Sequence, residues 1–308
     1  MAKITVIGAG NVGATCADIL AFSKIASEIV MLDVKEGTAE GKAMDMLQTA
    51  NTLGFEAKIT GVTGDYTQTA GSEVIIVTSG IPRKPGMSRE ELIGTNADIV
   101  KNVVDSCLTY SPNAIFLILT NPVDAMTYLA LKSTGLPKNR VFGMGGLMDT
   151  ARFKYYLSQA MNVNSKQVDA MVIGGHGDTT MIPLKRLATY NSIPVTQFLS
   201  AEALDKAVAD TMVGGATIAR LLGTSAWYGP GAAAAYVAQS IIHNYKRLIP
   251  SCVYLDGEYG QTDICIGAPA IIGRKGVGKI ITLDLNAEEK ALFKNSADAV
   301  RSTNQVLK

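Results

Sequence analysis

The sequence predicts an α/β fold: a doubly wound parallel sheet in its first half and an α+β arrangement in its second. Three observations predict it. Short Val/Ile-rich runs alternate with helical patterns up to about residue 145. A glycine-rich turn links the first run to the first helix. Beyond residue 145 helices and strands group separately instead of alternating. Alternation implies βαβ units with right-handed crossovers, and apolar strands without polar alternation imply a sheet covered on both faces.

The elements follow in order. Strand-like runs lie at Lys3–Ile7, Glu28–Asp33, Ala57–Thr60, Glu73–Thr78, Ala114–Thr120 and Arg140–Gly143. Helical patterns between them cover Asn11–Ser23, Arg89–Tyr110 and Val123–Ser133. In the second half a helix is expected at Leu147–Met161 and a strand at Gln167–Gly174, with Met181–Leu184 as its partner. Helices at Ala201–Leu222 and Gly231–Leu248 come next, placing His243 within a helix. Strands at Cys252–Leu255, Asp263–Ile272 and Gly278–Asp284 carry Gly and Pro punctuation. An amphipathic helix, Ala287–Leu307, closes the chain with Asn286 as its N-cap. The division expected is residues 1–145 for one domain and 146–308 for the other, joined over a broad interface.

Composition narrows the function classes. The chain has 308 residues, 28 basic and 27 acidic side chains, and a formal charge of +1, so a general polyanion binder such as a nucleic-acid protein is not expected. At 47% hydrophobic and 18% charged it is no disordered chain. No apolar run reaches the ~20 residues that span a bilayer, and the strand beginning at Lys3 leaves no room for a signal peptide. Two histidines, and four cysteines (Cys16, Cys107, Cys252, Cys265) without a C-x-x-C pair, argue against a metal centre and a disulfide framework. A soluble cytoplasmic protein with buried free thiols is expected.

The turn Gly8-Ala9-Gly10-Asn11-Val12-Gly13 is a G-x-G-x-x-G between strand and helix. Gly8 permits the tight turn, Gly10 lets backbone approach a pyrophosphate at the helix N-terminus, and Gly13 lets the helix pack on the strand. Asp33 ends the second strand, 20 residues past Gly13, where a carboxylate would bind an adenosine ribose and repel a 2′-phosphate. Together they predict a Rossmann domain that binds NAD in preference to NADP. Glycine turns also occur without a ligand, and Lys35 nearby blunts the preference for NAD.

His176 follows a strand within Gly174-Gly175-His176-Gly177-Asp178-Thr179. Oxidising a secondary alcohol requires a base for the hydroxyl proton, and His176 is the better placed of two histidines. The plain alternative is a structural histidine. Asp149 and Arg152, at i and i+3, share a helix face and could be a simple ion pair. Arg83 and Arg89 flank Pro85 and Gly86 in Ile81–Arg89, a stiff basic segment suited to a lid or to solvent. Tyr128 and Lys132 form a Y-x-x-x-K pair, but both fall inside one helix and the glycine spacing does not match the short-chain dehydrogenases that use that pair.

The ordered set of these motifs, with Leu119-Thr120-Asn121-Pro122-Val123-Asp124 and Met148-Asp149-Thr150-Ala151-Arg152, resembles the lactate/malate dehydrogenase family over nearly the whole chain. Within it the sequence looks most like the bacterial, lactate-dehydrogenase-like malate dehydrogenases. The resemblance implies NAD as cofactor, a small dicarboxylate (malate or oxaloacetate) as substrate, a role in the tricarboxylic acid cycle, and a homo-oligomer, dimer or tetramer. It implies that His176 is the acid–base group, that Asp149 orients it, and that Arg89 polarises the reacting carbonyl. Arg152 would hold the C1 carboxylate. Arg83 would face a second carboxylate, where lactate dehydrogenases typically carry Gln. Asn121 would bind substrate oxygen. Thr78, Gly80, Asn96, Leu119, Thr120 and Asn121 would line the cofactor, and Ser225 and Ala226 the substrate pocket. A dehydrogenase for lactate or another 2-hydroxy acid is the alternative. A non-catalytic dinucleotide-binding protein need not keep His176, Asp149 and three arginines.

Overall fold

The computed structural model describes residues 2–82 and 88–307, with the Arg89 side chain also outside the description. The first half runs β1 (Lys3–Ile7), α1 (Asn11–Phe22), β2 (Glu28–Asp33), α2 (Thr38–Gln48), α3 (Ala50–Leu53), β3 (Lys58–Thr63), β4 (Val74–Val77), α4 (Arg89–Tyr110), β5 (Ile115–Ile118), α5 (Val123–Thr134) and β6 (Val141–Gly143). These strands lie parallel in the order β3-β2-β1-β4-β5-β6. This is the doubly wound order, and it puts a topological switch point, where ligands bind, between β1 and β4.

Why the strands are apolar throughout is visible in their packing. Val74, Ile76 and Leu117 point into one core beneath α1, and Ile75, Val77, Phe116 and Ile118 into another beneath α4 and α5. The period of two sends successive side chains to opposite faces, and both faces are covered. Each fully buried side chain of this size contributes about 1.5–3 kcal/mol relative to exposure.

The second half runs α6 (Gly146–Met161), β7 (Val168–Asp169), β8 (Val172–Gly174), β9 (Met181–Pro183), β10 (Thr189–Tyr190), β11 (Ile193–Pro194), α7 (Ala201–Leu222), α8 (Tyr228–Ile242), β12 (Arg247–Asp256), β13 (Thr262–Gly273), β14 (Gly276–Ile280) and α9 (Ala287–Asn304). Strands β8, β9, β12, β13 and β14 continue the first sheet, whereas β7, β10 and β11 form a small separate one. The antiparallel pairing of Cys252 with Gly143 joins β12 to β6, and the order proceeds β12-β13-β8-β9, with β14 on β13. The helix α8 packs on α1, so the halves also meet through helices. Among the described residues no helix is long and apolar enough to cross a membrane.

Several expected boundaries need correction. The helix expected over Gly231–Leu248 starts at Tyr228 and stops at Ile242. Asn244 and Lys246, both at φ +53°, reverse the chain in left-handed backbone, and Leu248 becomes part of β12. His243 is therefore the cap of α8 instead of an interior residue, with its ring 5.3 Å from that of Tyr245. The strand expected over Gln167–Gly174 is broken at Ala170 and Met171, where Met171 carbonyl oxygen accepts from Leu184 N–H at 2.9 Å. The third strand starts one residue later than expected and ends three later, at Lys58–Thr63, because it pairs in register with all of β2. Asn286 does cap α9: its side chain accepts from Glu289 N–H at 2.8 Å, and Glu289 accepts from Asn286 N–H at 2.9 Å. This is a reciprocal capping box.

Candidate active site

The first part of the site is the turn after β1. Gly8 takes φ +98°, and its N–H donates to Leu32 carbonyl oxygen at 2.7 Å. A side chain there would press on Ser79 backbone and Thr78 Oγ1. A Cβ on Gly13 would collide with the Gly8 carbonyl, so α1 seats directly on the turn. Gly10 faces open space, with no atom within 4 Å of the position its Cβ would take. No side chain caps the α1 N-terminus among the described residues. Free N–H groups at the positive end of a helix, beside a backbone left bare, fit a pyrophosphate.

Asp33 stands at the end of β2, as its spacing predicts, but it does more than await a ribose. Its Oδ2 accepts the Ala9 N–H at 2.6 Å and its Oδ1 the Lys35 N–H at 2.9 Å. The carboxylate thus braces the turn while keeping lone pairs for hydroxyl donors. Lys42, not picked out in the sequence, closes the other side by donating from Nζ to Ala9 carbonyl oxygen at 2.7 Å. Asn11 is exposed and Val12 half-buried at the start of α1. Across the switch point, Thr78 Oγ1 donates to Gly8 carbonyl oxygen at 3.0 Å. Thr120 Oγ1 donates to Ser79 carbonyl oxygen at 2.6 Å, and Ser79 Oγ is buried without a partner among the described residues. The residues present fit a dinucleotide at this edge.

Asn96 ties the strand ends together. Its amide accepts from Ile81 N–H at 2.8 Å and donates to Asn121 carbonyl oxygen at 2.9 Å. The residue is 2% exposed, so its contribution to this edge is to place Ile81 and Asn121. Gly80 packs against Thr120 and Asn96 with no room for a side chain. Leu119 is buried and donates its N–H to Val77 carbonyl oxygen at 2.8 Å, whereas Asn121 is exposed at the carboxyl edge of the sheet.

The second part lies beyond β6. Gly145 precedes α6 and packs under the His176 ring. One turn into α6, Asp149 is 1% exposed. Its Oδ2 meets His176 Nδ1 at 2.7 Å, and its Oδ1 accepts from Arg152 Nη1 at 3.0 Å. The ion pair expected of an i, i+3 spacing and the Asp–His contact are therefore the same carboxylate used twice. Arg152 Nε is buried without a partner among the described residues, and α7 passes beside the guanidinium at Gly214 and Gly215. Ser225 and Ala226 lie in the following loop, between α7 and α8. Arg83 and the Arg89 side chain lie outside the described residues.

His176 is held by its backbone as well. Gly174 turns β8 at φ +84°. Ser296 of α9 accepts the Gly175 N–H at 2.8 Å and donates to Thr180 carbonyl oxygen at 2.7 Å, clamping both ends of the His176 turn. Asp124 Oδ2 accepts the His176 N–H at 2.7 Å. Neither Ser296 nor this bond was read from the sequence, since Ser is common on helices and Asp124 followed a motif whose family role falls on Asn121. A cavity of about 400 Å³ adjoins, lined among others by Pro122, Asp124, His176, Thr180, Val300 and Thr303. Burial presses the imidazolium towards deprotonation, but the charge of Asp149, its hydrogen bond and the charge of Asp124 outweigh burial and the opposing Arg152. The net effect raises the His176 pKa above its ordinary 6.5.

The four cysteines are free and buried, and burial pushes the Cys16 and Cys107 thiols up to about 12, far from thiolate chemistry. They take no visible part in the site geometry beyond packing, except Cys252, which neighbours Asp124.

Comparison with known proteins agrees with this geometry. Residues 2–143 match the family model described as lactate/malate dehydrogenase, NAD binding domain, and residues 147–306 its alpha/beta C-terminal domain. The chain is 65% identical over 308 residues to a malate dehydrogenase of Bacteroides fragilis, covering 100% of this chain and 98% of that one. It is 62% identical to a malate dehydrogenase of Flavobacterium johnsoniae, covering 99% and 98%. Among solved structures it is similar to the Salinibacter ruber malate dehydrogenase (TM-score 0.94, 43% identity, 99% and 97% covered). It is also similar to a Cryptosporidium parvum lactate dehydrogenase solved with lactic acid and nicotinamide adenine dinucleotide (TM-score 0.95, 35% identity, 99% and 98% covered). A glycine-rich turn at the switch point, a buried Asp–His pair beyond β6 and two family models spanning nearly all of the sequence lead to one conclusion: the chain belongs to the lactate/malate dehydrogenase family.

Proposed function

We propose that this chain is an NAD-dependent malate dehydrogenase, interconverting (S)-malate and oxaloacetate. The observation that carries the reading is the single buried carboxylate, Asp149, that holds His176 and Arg152 together. With Nδ1 occupied by Asp149, Nε2 of His176 is the nitrogen free to take the substrate hydroxyl proton. Asp149 steadies the imidazolium so formed. Arg152 keeps N–H groups beyond its bond to Asp149 and grips the C1 carboxylate as a fork. Asn121 presents its side chain to the substrate from the sheet edge, and Arg89 polarises the carbonyl. When bound, NAD supplies the hydride acceptor for C2 of malate. The chain's part is to orient the reactants and hold the proton, which supplies much of the rate.

Gly8 to Gly13 and Asp33 hold the adenine half, with Ala9, Asn11 and Val12 giving backbone contacts. Thr78, Gly80, Leu119 and Thr120 line the nicotinamide half, and Asn96 positions them. Arg83 sets the substrate by pairing with the second carboxylate. The relatives' name, malate dehydrogenase, supports that choice. Likeness to a lactate dehydrogenase keeps pyruvate as the comparison substrate. Steady-state rates with oxaloacetate and pyruvate, each with NADH and NADPH, test the reading. Oxaloacetate with NADH should be fastest, and a preference for pyruvate would overturn it.

The proposal extends to a cytoplasmic homo-oligomer, dimer or tetramer. Phe22, Met44, Leu47, Val213, Leu221 and Leu222 are large apolar residues exposed on the α1, α2 and α7 segments. Such exposure is consistent with a surface that a second copy covers. Light scattering behind size exclusion checks the state, and a monomer at assay concentration would reject it.

A further inference from the structure

His176 meets two carboxylates. Asp149 takes its ring; Asp124, in the first turn of α5, takes its backbone N–H at 2.7 Å. Asp124 is 7% exposed, and its Oδ1 is buried without a well-formed hydrogen bond among the described residues, with the Cys252 thiol beside the carboxyl. A neutral side chain would satisfy a lone backbone N–H equally well. A carboxylate buried for that purpose alone is a costly choice, because desolvation disfavours its charge. The choice makes physical sense where a positive charge forms next to it, and His176 becomes imidazolium at each turnover.

Resting on the reading of His176 as the acid–base group, we propose that Asp124 is its second positioning residue. It anchors the backbone of the catalytic turn to the segment that carries Asn121 and sets a second negative charge beside the imidazole. The chain connectivity supports this. Asn121 lies just before the N-cap Pro122 and Asp124 in the first turn of α5, so one short stretch of backbone carries both the substrate-facing amide and the contact to the His176 main chain. The other groups around His176 are Asp149 and Arg152 from α6, Asp178 on its own turn, and the thiols Cys252 of β12 and Cys265 of β13 behind Asp124. The face of α9 that lines the adjoining cavity brings Ala299, Val300, Ser302 and Thr303, none of them charged. Burial, with the like charge of Asp149, holds the Asp124 carboxyl above its ordinary pKa, while the His176 N–H, its imidazolium and Cys252 oppose that rise.

The test uses the full-length enzyme and its two histidines. Proton NMR titration of the ring C–H signals follows His176, with His243 as internal reference. Asp124→Asn keeps an acceptor for the N–H but removes the charge. The His176 midpoint should fall by roughly 0.5–1 on the pH scale, and the alkaline limb of oxaloacetate reduction should move down with it while KM for NADH stays unchanged. Asp124→Glu, which restores the charge, should return the midpoint towards wild type, an outcome that mere loss of packing would not give. A midpoint and rate profile unaltered in Asp124→Asn would overturn the proposal. If the Asn variant does not fold, ¹³C titration of the Asp124 carboxyl in the wild-type protein decides the question. Ionisation at neutral pH supports the proposal, and protonation throughout overturns it. Failure of the enzyme reading is distinguishable, since wild type would then lack oxaloacetate reduction whatever the titration shows.

Discussion

Asp149 Oδ2 lies 2.7 Å from His176 Nδ1, and the same carboxylate bonds Arg152 through its other oxygen. One group therefore couples the residue proposed as acid and base to the residue proposed to hold the substrate. Asp149→Asn should lower kcat by roughly 10²–10⁴-fold, because the amide can orient the ring but cannot stabilise the imidazolium. KM should also rise, since Arg152 loses its anchor. Stopped-flow reduction of oxaloacetate checks both, and a variant with near-normal kcat would remove Asp149 from the mechanism.

The raised His176 pKa gives a signed pH dependence. Reduction of oxaloacetate uses the imidazolium, which persists above pH 6.5, so kcat/KM should hold through that pH and fall only above it. Malate oxidation uses the neutral ring and should show the mirror image, rising as reduction falls. The same sign applies to stability. The His176 contribution is complete below the unfolded pKa and is lost as pH rises through the higher folded one. Paired pH–rate profiles in the two directions test this; parallel profiles would contradict it.

Arg83→Gln addresses substrate choice. Removing a cation that pairs with the second carboxylate should cost oxaloacetate at least ~100-fold in kcat/KM and raise relative activity on pyruvate. Unchanged kinetics for both substrates would falsify the assignment of Arg83.

Asp33→Asn tests cofactor choice. The amide can still accept the Ala9 N–H, so the turn should survive. The charge that repels a 2′-phosphate is gone, and the NADH-to-NADPH ratio of kcat/KM should fall by about tenfold or more. An unaltered ratio would locate the discrimination elsewhere, for instance at Lys35.

Ser296→Ala would leave Gly175 N–H and Thr180 carbonyl oxygen without their buried partner. The cost should be about 1–3 kcal/mol of stability, read by denaturant unfolding. Turnover should fall too, because the His176 turn loses its tie to α9. A stable, fully active variant would show that the clamp is dispensable.

The sequence made the cofactor edge legible because its chemistry is local. Gly8, Gly10 and Gly13 act within six residues, and Asp33 sits at a fixed spacing on the next strand. The ends of β1, β2, α4 and α7 were equally readable, since apolar period and cap coincide there. What escaped is what depends on distant partners. Ser296 and Asp124 acquire meaning only when α9 and α5 meet the His176 turn, 121 and 52 residues away in sequence. The end of α8 escaped for a similar reason: no Gly or Pro marks a stop between Ile242 and Pro250, and it is pairing with β13 that draws the chain from Arg247 onward into a strand. The substrate side of the site is divided. Asn121 and Arg152 are placed by the fold, whereas Arg83 rests on the sequence motif.

The sheet that crosses from β6 to β12 bears on how the reactants are enclosed. Two lobes joined by a flexible strap could shut like a clam on their ligands. Here the sheet pairing at Cys252 and Gly143, together with α8 lying on α1, ties the lobes, so swinging one against the other would disrupt pairing and packing together. Whatever excludes water from His176 during turnover must be smaller than a domain. Nucleotide and acid should accordingly find their two halves of the site already at working distance, with only local pieces left to fold over them.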